Sequence, residues 1–183
     1  FTAMTKSILA QWPDSPAGVT LAEITQLARA CAAQRFRQEE LFGRLAQVLR
    51  NVDVTDMSAG EALSLLHSFA FLRLGPQHGE LDEDLWQRLE ERVVRTEDMS
   101  PEAAMKLCHV LFLAKRVDSN LNKVVDLLSE GTRSFNQQQR PLSVGLHRRL
   151  LLLRSAMRYL HHQVYKELPD DVLKLFRKAH RME

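Results

Sequence analysis

With 183 residues, 45% of them hydrophobic and 26% charged, the chain is long enough for one domain or a short helical array and too apolar to be disordered throughout. Its formal net charge of +2 does not by itself mark a nucleic-acid binder, and no run approaches the roughly 20 apolar residues of a membrane span. The two cysteines, Cys31 and Cys108, stand among apolar neighbours and read as small buried hydrophobes without a disulfide or metal spacing, which fits a reducing compartment.

Residues 1–18 read as an N-terminal extension. Ile8, Leu9 and Trp12 precede Pro13-Asp14-Ser15-Pro16, where proline breaks any helix. This apolar trio is a candidate protein-docking segment, because Trp is favoured as an interface anchor. Packing back onto the first hairpin is the alternative. The chain opens on Phe1, either because a targeting peptide has been removed or because the sequence begins at the first ordered residue.

From residue 19 one signal returns four times. An apolar residue followed by Thr or Ser occurs at Val19-Thr20, Met57-Ser58, Met99-Ser100 and Leu142-Ser143. Seven residues after each hydroxyl stands Leu27, Leu65, Leu107 or Leu150, and fifteen after it stands Arg35, Arg73, Lys115 or Arg158. The hydroxyls are helix N-caps by type. Glu23 and Glu61 complete capping boxes with Thr20 and Ser58, and Pro101 takes the first helical position after Ser100. Each cap leads into an amphipathic first helix, as in Ala62, Leu65, Leu66, Phe69 and Leu72, or Ala104, Leu107, Cys108, Leu111 and Phe112. Second helices follow with one apolar stripe each, on Leu41-Phe42 and Leu45, Leu85-Trp86 and Leu89, Val124 to Leu128, and Val172 to Phe176. A turn cluster, Gly75-Pro76-Gln77-His78-Gly79, separates one pair. A longer insertion, through His161 and His162 to Pro169, interrupts the last. No strand-like alternation occurs. The expectation is an all-α chain, a short solenoid of about four helical hairpins with repeats near 19–54, 57–96, 99–135 and 142–180.

The motifs of catalysis are missing. There is no phosphate-cradling glycine loop and no H-E-x-x-H, C-x-x-C or G-x-S-x-G. No catalytic, cofactor-binding or metal-ligating residue is therefore assigned, and neither an enzyme activity nor a small-molecule substrate is expected. The acidic runs Glu39-Glu40, Glu80 to Asp84 and Glu90-Glu91 read as solvated or as complements to helix dipoles. His67 and His109 share one repeat position, suited to polar packing or to an exposed row with Arg29. Charge is unevenly spread, with ten Lys or Arg against four Asp or Glu in residues 140–183 and 15 against 19 in the rest. The four bases fifteen residues after the caps suit helix C-termini, where cations complement the macrodipole. As a row, Arg35, Arg73, Lys115 and Arg158 would instead track an RNA phosphate backbone, helped by the basic C-terminal quarter.

The cap-plus-amphipathic first helix from Met57-Ser58 to Leu74, echoed from Met99-Ser100 to Arg116, resembles the organellar helical-hairpin repeats of the pentatricopeptide, octotricopeptide and FAST-kinase-like families. That resemblance implies a mitochondrial matrix location. Most members of such families bind RNA. Others serve as protein-only subunits of mitochondrial assemblies, including helical-repeat accessory subunits on the catalytic head of euglenozoan mitochondrial ATP synthase, to which this chain is similar in size and kind. The expectation drawn from it is a non-enzymatic structural or interaction subunit of a mitochondrial assembly, with the ATP synthase head and the mitoribosome as candidates. It would bind protein subunits through the repeat surface and the N-terminal arm. The alternative is an RNA-binding role in organellar RNA processing or translation.

Overall fold

A computed structural model of the chain describes residues 20–76, 81–94, 99–138 and 141–181. Every regular element among them is helical, and none is a strand. The chain divides into two compact units, Phe1–Thr96 and Glu97–Glu183.

The first unit contains α1 (Leu21–Ala33), α2 (Glu39–Asn51), α3 (Ala59–Phe71) and α4 (Glu83–Val94). Thr20 and Ser58 cap α1 and α3 through hydroxyls that accept from the Glu23 and Glu61 amides, both at 3.2 Å. The glutamates return the contact, accepting from the amides of Thr20 at 2.8 Å and Ser58 at 2.9 Å. The hydrogen bonds received from Thr20 and Ser58 hold both carboxyls below the usual carboxylate range. Asp82 does the same for α4, accepting from the Leu85 amide at 2.7 Å, and it also pairs with Arg50 at the end of α2. The unit closes where α1 packs on α2 and α3, and α3 packs on α4. Ile24, Phe42, Leu65, Leu66, Phe69, Leu85 and Trp86 are buried there. Phe42 meets Phe69 edge-on at 5.2 Å, a geometry that adds about 0.5–1.5 kcal/mol to the area term.

The second unit contains α5 (Pro101–Leu113), α6 (Leu121–Gln138), α7 (Val144–Leu160), α8 (His162–Glu167) and α9 (Asp170–His180). Ser100 and Ser143 cap α5 and α7, accepting from the amides of Ala103 and Leu146 at 3.2 Å each. Helix α5 packs on α6 and α7, and α9 packs on α6 and α7. The α5–α6 approach is close because residue 131 is glycine. A Cβ there would meet the Ala104 Cβ at 3.1 Å and the Met105 Cε at 3.2 Å. The segment that reads as an insertion is helical as α8, and Leu168 behind it is buried.

Both cysteines are free and buried, and burial raises both thiol pKa values. One sequence expectation is corrected. Glu90 is not on an outer face but 6% exposed, and it accepts from the Trp86 indole N–H at 2.9 Å. The spacing of four residues on α4 lets a buried carboxylate satisfy a buried indole.

Candidate interaction surface

The first helices end in a way their sequences do not announce. Helix α1 stops at Ala33, after which the Arg35 amide donates to the Ala32 carbonyl at 3.1 Å and the Phe36 amide to the Cys31 carbonyl at 2.8 Å. Helix α3 repeats the pair, with Arg73 to Ala70 at 3.1 Å and Leu74 to Phe69 at 2.8 Å. Helix α5 does so again, with Lys115 to Phe112 at 3.1 Å and Arg116 to Leu111 at 2.9 Å. These are three Schellman caps, and the residue each places in the left-handed region is the repeat-position base. Their φ values are 52° for Arg35, 57° for Arg73 and 53° for Lys115.

The bases thus lie just past the helix ends rather than in the last turns. Arg158 differs, because α7 runs on through it to Leu160 and keeps it in the last helical turn. All four are exposed, but Arg35 and Arg73 belong to the first unit and Lys115 and Arg158 to the second. Ile8, Leu9 and Trp12 lie outside the described residues.

Four of the histidines make contacts within the fold. His67 stacks on Phe71 of its own helix, with ring centroids 6.0 Å apart. His109 is half-buried, and burial, reinforced by Arg149, lowers its pKa. His147 makes a 2.7 Å contact with the Ala179 carbonyl of α9. His161 lies edge-on to Phe112 and 3.7 Å from Asp118. Among the described residues no group of three His, Cys, Asp or Glu side chains could hold a metal ion, and no helix is long and apolar enough to cross a membrane.

In the first unit, an open cleft of about 430 Å³ is lined by Asp53, Val54, Thr55, Arg88, Glu91 and Arg92. Its polar groups are already engaged. Asp53 accepts from the Thr55 amide at 2.9 Å, Arg92 donates to the Met57 carbonyl at 2.7 Å, and Arg88 pairs with Asp84.

What stands out is α7. Its inner face buries Leu146, Leu150, Leu153 and Met157. Its outer face leaves Val144 68%, Leu152 55% and Tyr159 81% exposed, against about 40% for Phe71 and Val94 elsewhere. Val144, Arg148, Leu152, Ser155 and Tyr159 fall on one stripe at helical spacing. Helix α7 contains Arg148, Arg149, Arg154 and Arg158 and no Asp or Glu. Tyr, Leu and Arg without acids is the composition of a recognition face more than of a solvated one. The sequence carries the signal as apolar residues eight and seven positions apart, but it is masked by the stronger stripe that fills the core. Set against known proteins, the chain matches no family model, and no curated protein is significantly similar to it.

Proposed function

We propose that this chain is a non-enzymatic interaction subunit of a mitochondrial multiprotein assembly and holds its partner proteins through the surface of its helical hairpins. The observation that carries the reading is the bare apolar and arginine-bearing face of α7. Repeated hairpins stacked on short connections present rigid helix faces, and such faces bind proteins or nucleic acids rather than carry out chemistry. The assignment to mitochondria rests on the resemblance of the cap-and-helix pattern to organellar repeat proteins. The ATP synthase head and the mitoribosome are the assemblies to examine first.

Co-purification from mitochondria of the source cells tests the reading. A stoichiometric protein partner that survives nuclease treatment is the expected result. A free monomer, or a partner lost with the RNA, would sink it.

A further inference from the structure

The bare face of α7 occupies a defined place in the repeat register. Counted from the caps, Arg148 and Ser155 of α7 match Thr25 and Ala32 of α1, Leu63 and Ala70 of α3, and Met105 and Phe112 of α5. Thr25 is 4% exposed, Ala32 8%, Leu63 4%, Ala70 3% and Met105 0%. Phe112 is half-buried, whereas Arg148 and Ser155 are both exposed. In α1, whose packing partners are α2 and α3, neighbouring helices cover Thr25 and Ala32, while Arg29, the counterpart of Leu152, is exposed. In α7 the same side is open, and it is there that Val144, Leu152 and Tyr159 stand out. Among the described residues, the middle of this face is therefore open at Arg148 and Ser155, where the other first helices are buried or half-buried.

Its chemistry narrows the occupant. The apolar residues call for a helix with an apolar stripe. Arg148 within the face and Arg158 beside it, with no acid on α7, call for carboxylates flanking that stripe. Two copies of this chain meeting through α7 would set arginine against arginine. An RNA backbone would gain nothing from Val144 or Leu152. We propose that the exposed face of α7 is the docking site for an acidic amphipathic helix of a partner protein, which lies along α7 over a length of about 25 Å. The proposal rests on the interaction-subunit reading and names its surface and the class of its partner.

The test uses the full chain, tagged and expressed in the source cells, with the photo-crosslinker p-benzoylphenylalanine in place of Leu152. A control carries it in place of Glu130, an exposed residue of α6. After irradiation, peptide mass spectrometry should join position 152, and not position 130, to one protein segment with an apolar stripe at helical spacing and flanking Asp or Glu. The full chain with both Leu152→Glu and Tyr159→Glu should recover that partner on the order of tenfold less, as should Arg148→Glu. Melting temperatures should stay unchanged, since all three sites are exposed. Cross-links to RNA, to a second copy of this chain, or to a segment without acidic residues overturn the proposal. If the double variant keeps its stoichiometric partner, the docking site is wrong and the interaction-subunit reading stands. If the wild type has no protein partner, that reading fails and the docking site with it.

Discussion

A side chain with a Cβ strains the left-handed backbone region by about 1–2 kcal/mol, and glycine is the usual residue at that point of a Schellman cap. Here three of the four repeat-position bases sit there with φ between 52° and 57°. The fourth, Arg158, is helical. This difference gives a signed prediction. At Arg35, Arg73 and Lys115, the glycine variant should be more stable than the alanine variant by about 1 kcal/mol in urea unfolding, because only glycine relieves the strain. At Arg158 the order should invert, with glycine worse than alanine by up to about 1 kcal/mol, because that residue is still helical, though in the last turn. The same order at all four sites would contradict the geometry. His109 supplies a pH dependence. Its folded pKa is lowered, chiefly by burial, so as pH falls the unfolded chain takes the proton first. The stability it contributes is present above about pH 6.5 and is lost as pH drops through that value toward the folded pKa. Melting temperature should therefore decline below neutrality in the wild type, and His109→Gln should flatten that part of the curve.

At the scale of the element, Leu65 and Leu107 occupy one repeat position and both are 0% exposed. Truncating either to Ala should cost about 2–5 kcal/mol. Gly131→Val tests the opposite limit, overpacking, and should cost about 1–3 kcal/mol against Ala104 and Met105 despite the loss of a helical glycine. Chemical denaturation measures both, and near-zero costs would mean that α5 does not lie where it is described. All four helix starts were legible because a hydroxyl cap is a local device, specified by the residue type and by the glutamate or proline that follows it. The three Schellman ends were not legible as such. Their glycine signature is replaced by Arg or Lys, and the spacing of the bases alone points to a cation at a helix C-terminus without showing that it forms the cap. Glu90 was misread because its charge argues for solvent, and only the fold brings the Trp86 indole to it. The α8 segment reads as an insertion because six residues hold no stripe, and His162–Glu167 has no buried residue. The face of α7 was hidden for a different reason. Exposure is a property of what packs nearby, and a helix with apolar residues on two sides does not say which one is covered.

Over the whole chain, charge divides with the compact units. Residues 1–96 carry 10 Lys or Arg and 13 Asp or Glu, and residues 97–183 carry 15 and 10. A polyanion following all four repeat-position bases would have to engage Arg35 and Arg73 within the net-acidic unit, which opposes it. Those two bases, with Lys115, are also placed by the ending of a helix, a role that requires no ligand. Titration of single-stranded RNA at a series of salt concentrations separates the readings. Four phosphate contacts would give a slope of log affinity against log salt of about −2.8, at roughly −0.7 per contact. Replacing Arg35, Arg73, Lys115 and Arg158 together with Gln would then flatten it by two to three units. The expected result is a wild-type slope shallower than about −1, the equivalent of little more than one phosphate, and no change in the quadruple variant. A steep slope that collapses in that variant would make the four bases a phosphate row and return RNA as the partner. A steep slope that survives it but is lost with Arg148→Glu would place RNA on α7 and remove the acidic helix from that face.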